Sequence, residues 1–237
     1  LSDQYGFGLP RLEDLAGADY NSDPATCLGP TDVMDTEHPA IRATVAQLTA
    51  GLQAPEDRAR VLFNFVRDRI VYNFGPDLNS RADWLASKTL ARGNGFCQQK
   101  ATLLATLLRA AGLPGQLVFQ DIKDYKLLES RFAPLIPDGI IHYHGLTAVY
   151  LNGHWLRLDA TLDAGLSQRR GYRLVEFRPD ADALLPATDL QGLPHFDILA
   201  EIGPFPNLPV ALTDAQLRAA PFWREWQILV RRTGASM

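Results

Sequence analysis

The segment from Cys97 to Ala111, CQQKATLLATLLRAA, constrains the fold more than any other. Ala101, Leu103, Leu104, Leu107 and Leu108 leave it apolar on most sides. A helix that is apolar nearly all round must be covered on several faces, so it belongs in the middle of a fold. Gly112 suits the position just past a helix end, and Pro114 cannot continue the helix. The rest of the chain must therefore supply layers around this segment.

Before it, the periodicity is helical. Ile41, Val45, Leu48 and Leu52 predict an amphipathic helix over 40–52. Pro55 opens a second helix, with Glu56 and Asp57 suited to its positive N-terminal end. Val61, Leu62, Phe65, Val66 and Ile70 carry its stripe to about Tyr72. Residues 73–80 form a loop, and a short helix with Trp84, Leu85 and Leu90 inward closes at Arg92-Gly93-Asn94-Gly95.

After it, the pattern turns to strands. Gln116–Gln120 is one. Asp121-Ile-Lys-Asp124 reads as a solvated turn following it. His142–Leu151 and His154–Asp159 flank Asn152-Gly153, a strong hairpin signal. Helices first and then a meander predict an α+β fold. The chain is expected to be one domain over 1–237. Residues 1–38 form an irregular arm with one helical turn near Leu12–Leu15. Residues 39–165 form the core, and 166–237 a wrapping segment ending in a helix over about Asp214–Val230.

Composition narrows the function classes. With 237 residues and 46% hydrophobic content, the chain can bury a sizeable core. A net charge of −4 lacks the basic face of a general nucleic-acid binder, so no nucleic-acid partner is expected. No stretch approaches the roughly 18 apolar residues of a membrane helix, and no membrane association is expected. The start, LSDQYGF, has neither a basic region nor an apolar run, so it does not read as a signal peptide. It also lacks an initiator Met, which leaves a removed targeting segment open. Two cysteines, Cys27 and Cys97, cannot make a disulfide framework and point to a reducing, cytoplasmic setting.

The two cysteines differ in context. Cys27 lies in a Pro- and Gly-rich arm and reads as an ordinary thiol. Cys97 follows Gly93-Asn-Gly95-Phe and opens the buried helix. A thiol at a helix N-terminus sits in the positive end of the macrodipole, which favours thiolate. The free N–H groups there can hold an oxyanion. A nucleophilic Cys needs a base, and the base an orienting group. Pairing through Asn152-Gly153 brings His144 and Asp159 close across adjacent strands, as a His–carboxylate pair requires.

The block Gly95-Phe-Cys97-Gln-Gln-Lys100-Ala101-Thr-Leu-Leu104, continuing Leu107-Leu-Arg-Ala-Ala-Gly-Leu-Pro114, resembles the nucleophile helix of the transglutaminase-like superfamily. His144-Gly-Leu-Thr-Ala-Val-Tyr-Leu151 and Trp155-Leu-Arg-Leu-Asp159-Ala-Thr161 resemble its second half, in the family order Cys, His, Asp. The resemblance covers about residues 57–163. It implies a papain-like α+β core with the nucleophile helix packed on an antiparallel sheet. It assigns Cys97 as nucleophile, His144 as base and acid, and Asp159 as orienter. The implied chemistry is attack on an amide, peptide or ester carbonyl and release of the thioester to water or an amine. A protease, an amidase or an acyltransferase would all fit, acting on a peptide, protein or small amide without a cofactor or metal. Leu146 and Ala148 stand where many members carry an aromatic and a Glu.

Several assignments stay open on sequence. Asp163 could orient His144 instead of Asp159. Tyr72 or Trp84 could supply a side-chain oxyanion donor. His142 and His144 lie two apart on a strand, so both should face one side. With an aspartate they could form a metal site, although His142 reads more simply as a pocket-rim residue. A catalytically idle binding module is a further alternative. His195 is expected at the surface or as a cap.

Overall fold

The computed structural model describes residues 23–73, 78, 80–130, 133–134 and 136–219. The turn expected near Leu12–Leu15, and the final helix beyond residue 219, lie outside the described residues. Four helices come first: α1 Pro39–Leu48, α2 Pro55–Arg69, α3 Ala86–Arg92 and α4 Cys97–Ala110. Prolines stand at the first position of α1 and α2, where the missing N–H costs nothing. His38 caps α1, its Nδ1 accepting from the Ala40 N–H at 3.2 Å. Gly93 ends α3 in the left-handed conformation, with φ 68°.

Every residue of α4 from Cys97 to Arg109 is buried. Helices α1, α2 and α3 pack around it, and its remaining side lies on the sheet. Its all-round apolar character is thus used on every face. Arg109, near its C-terminal end, is 4% exposed. Its guanidinium donates to the carbonyls of Gly115 at 2.7 Å, Gly29 at 2.8 Å and Pro206. One side chain so ties the central helix to the residue that opens the next strand and to two distant parts of the chain.

Two short strands, β1 Val71–Tyr72 and β2 Asn94–Gly95, pair in parallel, with Tyr72 opposite Gly95. The main sheet holds β3 Gly115–Asp124, β4 Ile140–Leu151, β5 His154–Leu158 and β6 Phe196–Phe205, all antiparallel, in the order β5-β4-β3-β6. Short helices α5 Tyr125–Leu128 and α6 Ala164–Arg170 follow β3 and β5, and α7 spans Val210–Ala219. The expected α+β fold, with the Cys97 helix on an antiparallel sheet, is the one observed. The hairpin has the register expected from its Asn-Gly turn, with Leu151 opposite His154 and Thr147 opposite Leu158.

Three expectations are corrected. The strand read as Gln116–Gln120 runs on to Asp124, so Asp121-Ile-Lys-Asp124 is strand and not a solvated turn. Its extension is stabilised by β6, which pairs along β3 from Leu117 to Asp124. The segment after 166 contributes that strand, although Asp197–Ala200 faces outward and shows no alternating pattern. His195 is buried, not superficial, with its ring between Tyr172 at 4.2 Å and Phe196 at 3.9 Å.

Candidate active site

Cys97 is the first residue of α4 and is 7% exposed. The preceding residue, Phe96, occupies the cap position, and its ring offers no acceptor for the first-turn N–H groups. Those donors are left for another partner. Gln99 fixes the turn instead: its Oε1 accepts from the Phe96 N–H at 3.4 Å, and its Nε2 donates to the Asp83 carbonyl at 3.1 Å. Gly95 leaves room for this, since a Cβ there would lie 3.1 Å from Gln99 Cβ.

His144 is 3% exposed and stands in β4 opposite Gln120 of β3. Its Nε2 lies 2.6 Å from Asp159 Oδ2. The ring is also a hydrogen-bonding partner of the Cys97 thiol. Burial opposes charging the ring, but Asp159 and Cys97 outweigh it and raise its pKa to about 10. Asp159 is 1% exposed. Burial works against its charge too, yet His144 and the Thr161 N–H, 3.0 Å from Oδ1, hold it below the ordinary aspartate value. The wrapping segment clamps this carboxylate from behind, because the Asp159 N–H donates to the Ala183 carbonyl at 2.8 Å.

The helix and strand meet unusually closely beside these residues. A Cβ on Gly145 would lie 2.8 Å from Gln98 Cα, so only glycine admits this approach. Gln98 Nε2 donates to the Tyr143 carbonyl at 2.9 Å, and Thr147 Oγ1 donates to the Ala101 carbonyl at 2.8 Å. The residues next to Cys97 and His144 are therefore locked together.

His142 and His144 do not share a setting. Tyr143 between them takes a left-handed φ of 55°, and the β3–β4 register shifts between Gln120 and Ile122. The strand alternation breaks there. His142 is left partly exposed, 2.9 Å from Asp121 Oδ2, while His144 turns inward. Asp121 Oδ1 also accepts from the Tyr143 N–H at 3.1 Å. Among the described residues no group of three or more His, Cys, Asp or Glu could hold a metal ion. Asp163 is committed elsewhere: it caps α6, accepting from the Leu166 N–H at 2.8 Å.

Trp84 packs edge-on against Phe96, with centroids 5.6 Å apart, and its Nε1 donates to Asp214 at 3.4 Å. Tyr72 instead lines a cavity together with His144. Burial and the nearby Cys97 hold the Tyr72 hydroxyl protonated, well above the ordinary tyrosine range. Its position depends on Lys100, one turn past Cys97. Lys100 Nζ donates to the Ile70 carbonyl at 2.6 Å and the Arg67 carbonyl at 3.2 Å. It caps the C-terminal end of α2 from inside the core, just before β1. Burial lowers the Lys100 pKa to about 7, against the pull of Asp163, Asp159 and Asp68.

Sequence reasoning passed over Asp121, Gly145, Lys100 and Ala183. A glycine inside an apolar strand beside the key histidine was the available signal for Gly145. Lys100, a charge on a helix apolar all round, was the signal for a buried cap. Nothing in the local sequence marks Ala183.

Residues 42–160, half of the chain, match the model of the transglutaminase-like superfamily. No curated protein matches the sequence. Among solved structures, a candidate cysteine protease from Cytophaga hutchinsonii is similar at 20% identity and TM-score 0.46, covering 60% of this chain and 43% of that one. The periplasmic domain of TgpA from Pseudomonas aeruginosa is similar at 23% identity and TM-score 0.43, over 62% of this chain and 53% of that one. A candidate protease from Parabacteroides distasonis gives 14% identity and TM-score 0.37, over 60% and 27%. The chain thus spans about half or less of the length of these relatives. The family match alone, spanning 42–160 and all three of Cys97, His144 and Asp159, establishes that the chain belongs to the transglutaminase-like superfamily.

Proposed function

We propose that this protein is a cysteine-dependent acyl-transfer enzyme acting on an amide or peptide carbonyl. The observation that carries the reading is the buried series Cys97–His144–Asp159, in which His144 touches both partners and stays protonated. A buried imidazolium between a thiol and a carboxylate has a clear chemical use. It stabilises a thiolate beside it, and it holds a proton ready for a leaving group.

In this mechanism the Cys97 sulfur attacks the carbonyl carbon, and the carbonyl oxygen takes the charge. The first N–H groups of α4 and the Tyr72 hydroxyl are the donors for that oxyanion. Collapse breaks the carbon–nitrogen bond while His144 passes its Nδ1 proton to the departing amine. The thioester is then attacked by water or by a second amine, whose proton returns to His144 as the Cys97 sulfur leaves. Asp159 holds the ring orientation throughout. We favour hydrolysis, since water is always present; amine transfer is the other outcome of the same intermediate. Both cysteines are free, and a reducing compartment such as the cytoplasm would keep Cys97 so. No helix among the described residues is long and apolar enough to cross a membrane.

The reading is tested by comparing the two thiols. Both are buried, and Cys27 has no histidine partner: its thiol donates to Gln116 Oε1 at 3.6 Å and lies 3.7 Å from Thr26 Oγ1. Iodoacetamide at neutral pH should label Cys97 at least about 10²-fold faster than Cys27. Mass spectrometry of the two peptides over time gives both rates. Equal rates would indicate an idle member of the superfamily.

A further inference from the structure

His144 stands at the end of a regular ladder. From Gly115 to Gln120, β3 pairs with β4 residue for residue, and Gln120 opposite His144 is the last of these pairs. Pairing resumes at Ile122 opposite Ile141, so His142 and Tyr143 together face the single residue Asp121. The same point is irregular on the other side of β3. Asp121 pairs with Ala200 of β6 and Ile122 with Ile198, which leaves Leu199 as an extra residue there. Asp121 therefore lies between two bulges, each of which disrupts the ladder beside it.

The side chain of Asp121 makes up for the break. Its Oδ1 accepts from the Tyr143 N–H at 3.1 Å, and its Oδ2 lies 2.9 Å from His142 Nδ1. Both residues of the β4 bulge are so tied to one carboxylate. Tyr143 needs the tie, because its φ of 55° is one that a residue with a Cβ adopts only at a cost. The Tyr143 carbonyl in turn accepts from Gln98 Nε2 at 2.9 Å. That carbonyl belongs to the peptide group leading into His144, and Gln98 is next to Cys97. One chain of contacts thus runs from Asp121 through Tyr143 and Gln98 to the base and the nucleophile together. An extended backbone at Tyr143 would turn its carbonyl away from Gln98 and release this end of His144.

We propose that Asp121 is a positioning residue for the reaction, whose carboxylate locks the β4 bulge in the one conformation that presents His144 to Cys97. The proposal rests on the acyl-transfer reading for its effect on rate, and on the strand geometry alone for its effect on His144. Asp121 acts through Tyr143 and takes no part in bond making.

The test compares Asp121→Ala and Asp121→Asn with the wild-type full chain, by NMR titration of the histidine rings and by turnover of p-nitrophenyl acetate. In the wild type His144 should titrate at about 10, and the buried His195 at about 4. Asp121→Ala should bring His144 down towards the ordinary histidine value of about 6.5. His195 should keep its wild-type value there and so report an intact core. Turnover by this variant should fall about 10²-fold. Asp121→Asn keeps an oxygen for the Tyr143 N–H and offers an NH₂ to a neutral His142 Nδ1. It should therefore keep His144 and turnover close to the wild type. Both variants remove the same charge, so a loss confined to Asp121→Ala reports position. His144 unmoved in a folded Asp121→Ala, or an equal loss in both variants, overturns the proposal. If Asp121→Ala loses the His195 signature, Tyr143→Gly is added to it, since glycine takes a positive φ without strain. Recovery of the wild-type His144 titration upholds the proposal. A double variant that stays unfolded, or that folds with His144 near the ordinary value, overturns it. Cys97→Ala separates the two claims. If it turns over the ester like the wild type, the acyl-transfer reading fails, and the titrations alone decide whether Asp121 positions His144. A wild-type His144 that titrates at the ordinary value overturns both.

Discussion

Asp159→Asn should lower acyl transfer by about 10⁴-fold. The geometry explains why so small a change has so large an effect. Asp159 Oδ1 accepts from the Thr161 N–H at 3.0 Å, and Oδ2 faces His144 Nε2 at 2.6 Å. An asparagine keeps its oxygen on the Thr161 N–H and so presents its NH₂ to Nε2. Nε2 must then accept, and the ring proton moves to Nδ1, the nitrogen that should receive the thiol proton. The wrong tautomer is enforced, and the negative charge that stabilised the imidazolium is gone. Turnover of an activated ester by matched protein preparations measures the effect. A loss below tenfold would mean that Asp159 does not orient a catalytic histidine.

The same substitution should leave a pH-dependent stability deficit, with a sign set by both partners. Asp159 is held below its usual value, so its contribution is complete above about pH 4 and is lost as pH falls through the folded value. His144 is raised to about 10, so its contribution is complete below its unfolded value and declines as pH rises towards 10. The deficit of Asp159→Asn against wild type should therefore be largest between about pH 4 and 6.5. Denaturant midpoints across that range show it directly. A deficit that grows from pH 7 to 10 would contradict the assignment.

Gly145→Ala should damage activity more than stability. The added Cβ would stand 2.8 Å from a backbone atom of Gln98, which cannot swing aside as a side-chain tip can. The strand must move away from the start of α4, and Cys97 and His144 separate with it. A shift near 1 Å in a reacting pair costs about 10²-fold in rate. Overpacking of this kind costs about 1–3 kcal/mol in stability. Thr147 lies two residues along the same strand and donates to Ala101, so it should resist wholesale detachment. Activity and thermal unfolding of the variant, measured together, separate the two effects. Full activity would show that the helix–strand contact does not set the site.

Much of this arrangement was legible from a few residues. Asn152-Gly153 set the hairpin register, and that register brought His144 and Asp159 together. The apolar run of α4 announced its central position. What escaped notice depended on partners distant in sequence. The Asp121–Asp124 segment looks polar enough for a turn, but β4 and β6 hold it as strand from either side. The two-residue rule for His142 and His144 failed at a bulge, and the left-handed φ at Tyr143 is not written in its own side chain. Asp163 and Asp159 both lie close enough in sequence to serve His144. Only the start of α6 shows that Asp163 is taken by the Leu166 N–H. Trp84 and Tyr72 were equivalent on sequence, and they separate because Asp214 engages the indole N–H while β1 carries Tyr72 to the cavity.

The most direct measurement is covalent trapping of the acyl group. The chain would be mixed with an activated acyl ester, quenched in acid, digested and sequenced by mass spectrometry. The account predicts an acid-stable thioester on the peptide carrying Cys97, absent from the Cys27 peptide and lost in Cys97→Ala. It also predicts that His144→Ala forms it far more slowly. Acylation spread evenly over both cysteines, or unchanged in His144→Ala, would contradict the central claim.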